Sequence, residues 1–200
     1  GQGGEDAGQA TVNVGAVNDA PIAQNDSDTT LEDTSTDIDL LANDSDPDGD
    51  DLSVISATVD PAQGTLGAVV DGVVTFTPAE NFNGEATITY TISDGNGLTS
   101  TATHTVTVNA TDDAPVTVGD TAETDEDTPV TIDPLANDTD PDGQELEISG
   151  TPTSPNGTVT VNPDGTIEFT PDPDFNGPTT IDYIAVDPDG NETPGQITVD

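Results

Sequence analysis

The chain has 200 residues, 41 Asp and Glu, one His, and neither Lys nor Arg, for a formal net charge of -41. Without cationic side chains it cannot hold nucleic-acid phosphates or anionic lipid through Lys or Arg. The absence of Cys excludes disulfides and thiolate chemistry, and no apolar run approaches the roughly 18 residues of a membrane span. So much unbalanced charge opposes compaction. It leaves a solvated coil or a fold completed by cations, and the order of the residues favours the second.

No 3.6-residue apolar period survives the Gly, Pro and Asp-Gly interruptions, so strands are the expected elements. A first strand follows Pro21. Residues 36–40 alternate, and Leu41 opens a loop. Residues 52–59 read as the next strand. Residues 64–70 and 73–77 flank Asp71-Gly72, a two-residue hairpin signal. Residues 87–92 alternate strictly, with Ile88, Tyr90 and Ile92 on one face and threonine on the other. Residues 101–108 place Ala102, His104, Val106 and Val108 on one face. Seven short strands rich in Thr and Val predict an all-β, Greek-key, Ig-like sandwich. Phe76, Phe82, Ile88, Tyr90 and Ile92 are the expected core.

The plan then repeats. Asn18-Asp19-Ala20-Pro21 returns as Asp112-Asp113-Ala114-Pro115, and Glu32-Asp33-Thr34 as Glu126-Asp127-Thr128, both 94 residues later. The run from Leu41 to Gly49 returns from Leu135 to Gly143 at the same spacing, while Phe76-Thr77-Pro78 and Tyr90 return at 93. Two tandem modules, 15–108 and 109–200, are expected end to end. Residues 1–14 read as an expression scar or as a lead-in with the last strand of a preceding module.

Following the strands end to end collects the acids at the poles of each module. The near pole takes Asn18 and Asp19, the acidic loop with Asp44, Asp46 and Asp48, and the glycine loop opened by Asp94. In the second module the same places fall to Asp112 and Asp113, to Asp138, Asp140 and Asp142, and to Asp187. Glu32 and Asp33 lie at the far pole. Stacking the modules would bring Glu32 and Asp33 to the second module's cluster. Hard oxygen donors in flexible loops suit Ca²⁺ better than Mg²⁺, which demands stricter geometry. A shared ion would turn repulsion into cross-linking and couple binding to folding. Asp-x-Asp-x-Asp-Gly also occurs as a plain polar turn. Nor is the loop an EF-hand, because Ile55 and Ser149 stand where a bidentate Glu is required.

At these residues the chain resembles bacterial cadherin-like tandem repeats, the Ig-like extender modules of large repeats-in-toxin biofilm adhesins. The signature is Val17 to Pro21, Glu32-Asp33-Thr34, Leu41 to Asp50, Val74 to Pro78, Phe82-Asn83-Gly84 and Tyr90 to Gly97. The resemblance implies type I secretion, an extracellular cell-surface location, and Ca²⁺ that stiffens module junctions. By similarity to animal cadherins, the ligand roles would fall on Glu32, Asp112, Asp113, Asp138, Asp140 and Asp187. The cadherin Asp-Arg-Glu motif has no counterpart. The second module also departs from the first: Gln144 and Glu145 replace Asp50 and Asp51, and Asp189-Gly190 replaces Asn96-Gly97. That implies a different stoichiometry.

The expected role is a calcium-stiffened spacer in a monomeric chain whose partners are neighbouring repeats. The alternative is a calcium-dependent module binding a glycan or a protein on a cell surface, and the near-repetition of one module by the other favours the spacer. Four Phe and two Tyr supply no aromatic sugar platform. An enzyme is not expected, since one His and no Lys or Cys leave few general bases besides carboxylates. His104 reads as a core or rim residue, because Ile197 stands at its repeat position.

Overall fold

The computed structural model describes residues 11–200, and most of the 1–14 lead-in lies outside the described residues. The chain divides into two units, Gly1–Ala110 and Thr111–Asp200. All regular elements among the described residues are strands. None of these residues forms a helix long and apolar enough to cross a membrane.

The first unit contains β1 (Asp26–Leu31), β2 (Thr36–Asp39), β3 (Ser53–Thr58), β4 (Gly64–Leu66), β5 (Val73–Pro78), β6 (Gly84–Ser93) and β7 (Thr99–Asn109). They form a four-stranded sheet, β1-β7-β6-β3, and a three-stranded sheet, β2-β5-β4. The second unit repeats this with β8 (Asp120–Ala122), β9 (Val130–Ile132), β10 (Glu147–Ile148), β11 (Gly157–Val161), β12 (Ile167–Pro171), β13 (Thr179–Val186) and β14 (Glu192–Val199). Its sheets run β10-β13-β14-β8 and β11-β12-β9. The first strand of each unit pairs parallel with the last, β1 with β7 and β8 with β14, and every other pairing is antiparallel.

The alternation read from the sequence is the alternation that is buried. Ile88, Tyr90 and Ile92 of β6 and Ala102, Val106 and Val108 of β7 meet Ile38, Val74 and Phe76 of the opposite sheet in one cluster. In the second unit Ile181, Tyr183, Ile197 and Val199 meet Ile132, Ile167 and Phe169. Burying such side chains contributes about 1.5–3 kcal/mol each, and this is the apolar driving force against the charge. Asp71 and Gly72 have φ of 50° and 85°, with Val70 and Val73 bridged across them. Positive φ at both central residues is the type I′ hairpin that Asp-Gly favours.

Three expectations change. The strand expected over 64–70 is regular only to Leu66; Gly67 still donates to Thr75 O, but the next residues leave the ladder. Phe82 is only partly buried and packs on the margin of the core. In β3 a bulge between Val54 and Ser56 turns Ile55 out to 58% exposure, which the unbroken alternation could not register.

His104 faces the core as expected and is 2% exposed. Its Nε2 lies 3.1 Å from Asp28 Oδ2. Neither ring nitrogen has an aligned hydrogen-bond partner, so the Asp28 carboxylate is a close neighbour of the ring without a directed bond to it. In the second unit Ile197 and Ala122 occupy the equivalent register positions.

Candidate metal centre

The acidic loop is shaped by Asp46. Asp46 Oδ1 accepts the N–H groups of Asp48 at 2.8 Å and Asp50 at 3.4 Å. Gly49 completes the turn at φ 79°. The second unit repeats this, with Asp140 Oδ1 accepting from Asp142 at 2.9 Å and Gln144 at 3.4 Å, and Gly143 at φ 74°. An aspartate that caps its own turn in this way uses one carboxylate oxygen and aims the other elsewhere. Those other oxygens, Asp46 Oδ2 and Asp140 Oδ2, are buried and accept no hydrogen bond. Oxygens of Asp46, Asp48 and Asp50 lie within 4.8 Å of one another.

The glycine loop is built likewise. Asp94 Oδ1 accepts from Asn96 at 2.8 Å and from Gly97 and Leu98 at 3.0 Å. Asp187 Oδ1 accepts from Gly190 at 2.6 Å and Asn191 at 2.9 Å. Both aspartates are buried, at 3% and 4% exposure. Burial pushes the Asp94 carboxyl up, but the amide of Asn18 and the three backbone N–H groups outweigh it and hold the group below its usual value. Asp187 is held low in the same manner by Asn191 and its own loop.

The linker residues close the pole. Asn18 Nδ2 donates to Asp94 Oδ2 at 2.6 Å, and the Asp19 N–H donates to Asp48 Oδ2 at 2.7 Å. In the second unit the Asp113 N–H donates to Asp142 Oδ2 at 2.9 Å. Asn191 Nδ2 bridges Asp112 Oδ2 and Asp187 Oδ2 at 2.5 and 2.8 Å. Linker, acidic loop and glycine loop therefore meet at one pole in each unit. At Asp112 the Asn191 amide acts to lower the pKa, yet burial and the charges of Asp189 and Asp187 carry the carboxyl above its usual value. That is the response of an anion among anions.

Two of the expected ligands also brace the core, and Asp44 Oδ2, like Asp46 Oδ2, is buried and accepts no hydrogen bond. Asp44 Oδ1 accepts from the Gln24 N–H at 2.8 Å and from Tyr90 Oη at 3.3 Å. Asp138 accepts from the Val118 N–H and from Tyr183 Oη, both at 2.8 Å. These aspartates anchor the root of the loop to a core tyrosine, and the triad is Asp46, Asp48 and Asp50. Burial, with the charges of Asp26 and Asp39, raises Asp44 despite its hydrogen bonds. Asp50, Asn96, Gln144, Asp189 and Asn191 were absent from the expected set. The exchange of residue types between the two copies of the loops points to the first four, and nothing in that pattern points to Asn191.

The other end of the strands carries Glu32 and Asp33. Glu32 is 2% exposed, its N–H donates to Asn109 O at 2.9 Å, and Asn83 Nδ2 donates to its Oε2 at 3.4 Å. Asp33 adopts φ 55° and accepts from the Asn81 N–H at 3.4 Å. Asp127 repeats this at φ 60°, accepting from Asp174 at 3.1 Å, but Glu126 is exposed.

The carboxylates at each near pole offer oxygen atoms alone, some of them buried and lacking partners, and the chain has neither Lys nor Arg to neutralise them. This fits a hard divalent cation of the calcium type.

Comparison with known proteins agrees on the fold. The model of the bacterial Ig domain matches residues 18–107 and again 112–200. The chain belongs to the bacterial Ig domain family, as two tandem copies. Among solved structures it is similar to human protocadherin-24 EC1-2, at 16% identity and TM-score 0.50, covering 92% of this chain and all of that one. It is also similar to the human desmocollin-1 ectodomain, at 12% identity and TM-score 0.50, covering 90% of this chain and 40% of that one. An endo-fucoidan hydrolase of glycoside hydrolase family 107 aligns at 22% identity and TM-score 0.40, with 90% of this chain spanning 28% of that one. No curated protein matches. The cadherin-like fold is thus shared with chains of low identity.

Proposed function

We propose that these two bacterial Ig domains are a calcium-stiffened spacer of a larger secreted or cell-surface adhesin, with a non-catalytic role and with neighbouring repeats as partners. The observation that carries this reading is the meeting of three chain segments at one anionic pole, in both units, with buried carboxylate oxygens left over. A divalent ion there supplies charge neutralisation and six to eight oxygen positions.

The chain's own residues supply the rest. Asp46 and Asp140 shape their turns with one oxygen and present the other. Asp94 and Asp187 hold the glycine loops rigid from inside, and Asn18, Asp19, Asp112 and Asp113 tie each linker to the domain that follows it. Fixing the linker removes its freedom, which is how an ion at this place stiffens a tandem array. Type I secretion and a biofilm role follow from the family resemblance and belong to the same proposal.

The test is a thermal melt of the whole chain in chelator, in millimolar Ca²⁺ and in millimolar Mg²⁺. Calcium is expected to raise the transition well above both other conditions. Superimposable melts in chelator and calcium overturn the reading.

A further inference from the structure

The two near poles are held by the same kind of bond with its partners exchanged. In the first unit Asn96, on the glycine loop, donates from Nδ2 to Asp50 Oδ2 on the acidic loop at 2.7 Å. In the second unit the amide sits on the acidic loop and the carboxylate on the glycine loop: Gln144 Nε2 donates to Asp189 Oδ2 at 2.9 Å. Position 50 corresponds to 144, and 96 to 189, so both members of the pair have switched type together. The amide also reaches the linker from whichever loop carries it. Asn96 Nδ2 lies 3.4 Å from Asn18 Oδ1, and Gln144 Nε2 lies 3.0 Å from Asp112 Oδ1, at the matching linker position.

A reciprocal exchange is what electrostatics requires if the pair acts as one unit. Two carboxylates at these positions would repel and have no proton to share at neutral pH. One amide and one carboxylate form a charge-assisted hydrogen bond, and which loop carries which is indifferent. The pair contributes one negative charge in both units.

We propose that residues 50 and 96, and residues 144 and 189, form an interchangeable amide–carboxylate latch. It holds linker, acidic loop and glycine loop together in the absence of any ion. It positions the neighbouring carboxylates, and in the first unit its own carboxylate, Asp50, is also one of the triad. Its place at a metal centre rests on the calcium reading above; the latch as such is read in chelator.

The experiment is hydrogen exchange by mass spectrometry on the full chain in chelator, following peptides that cover residues 46–51 and 94–98. Asn96→Asp is expected to speed exchange in both segments about fivefold, the range of a lost surface charge-assisted contact. Adding Asp50→Asn, which recreates the arrangement of the second unit, is expected to return exchange to within about twofold of the parent. The mirror pair, Gln144→Glu and then Gln144→Glu with Asp189→Asn, is expected to behave alike around residues 140–145 and 187–191. Unchanged exchange in Asn96→Asp and Gln144→Glu, or double variants no better than the singles, overturns the latch. A parent chain whose loops gain no protection when calcium is added overturns the metal reading and leaves the latch standing.

Discussion

Replacing Asp48 with Asn should change the stability of the first unit in opposite directions with and without calcium. The triad oxygens of Asp46, Asp48 and Asp50 lie within 4.8 Å of one another. At that separation two unit charges repel by about 0.9 kcal/mol in a water-like dielectric, the appropriate limit for an exposed loop. Neutralising Asp48 removes two of the three repulsions, and screening at about 0.1 M salt reduces the gain to roughly 1 kcal/mol. The Asn oxygen remains available to the Asp19 N–H, which now reaches Asp48 Oδ2 at 2.7 Å, so the turn keeps its contact. In chelator the first unit should therefore melt about 4–8 °C higher than the parent. In calcium the same change removes an anionic ligand, and a tenfold loss of affinity removes about 1.4 kcal/mol of ion-linked stabilisation, which outweighs the gain of about 1 kcal/mol and leaves the unit about 0.4 kcal/mol below the parent. Differential scanning calorimetry at low salt, in chelator and then in millimolar calcium, reads both signs. A shift of the same sign in the two conditions refutes the reasoning. So does a chelator shift that persists unchanged in 1 M salt.

Gly157→Ala should destabilise the second unit by about 1–3 kcal/mol in a urea titration, because a Cβ there would stand 2.4 Å from Phe169 Cε2 and 2.5 Å from the Thr170 carbonyl oxygen. Tyr90→Phe should cost about 1–2 kcal/mol by the same titration, since the hydroxyl donates to Gln24 O at 2.8 Å and its loss leaves that strap unmet. Stability in chelator should rise as pH falls from neutral towards the ordinary carboxylate range. Asp44 and Asp120 are raised in the folded chain, chiefly by burial, so they favour folding when protonated and lose that contribution as pH rises through their folded values. Below about pH 3.8 stability should fall again, as Asp94 and Asp187, which are held low, are forced to take protons. Melting curves across pH 3–8 check both limbs, and a monotonic profile would contradict them.

Much of this molecule is legible in its sequence because a strand writes its burial with a period of two. Ile88-Thr89-Tyr90-Thr91-Ile92 states which face is inside, and the repeat at 94 and then 93 states that the plan is used twice. The convergence of linker, acidic loop and glycine loop is equally readable, since it follows from counting strand reversals. What the sequence hides is the second use of a residue. Asp44 and Asp46 are two positions apart and chemically identical, yet one braces Tyr90 and the other shapes a turn; the difference lies in which backbone N–H each meets. Ile55 and Phe82 were obscured differently, by a bulge and by the shallow margin of a small core. The latch was missed because amides look neutral in a charge count, although Asn96 and Gln144 are where the anions find their donors.

The parallel pairing of first and last strands has a mechanical consequence. In the first unit Asp26–Leu31 runs beside His104–Asn109 over six consecutive positions. A pull that drags those strands past each other loads the connecting hydrogen bonds in shear, so that they must fail together instead of unzipping singly. In the second unit only Asp120–Ala122 is paired in this way. Under rising force that shorter clamp should yield first, giving a two-step extension trace in which the weaker event belongs to the second unit.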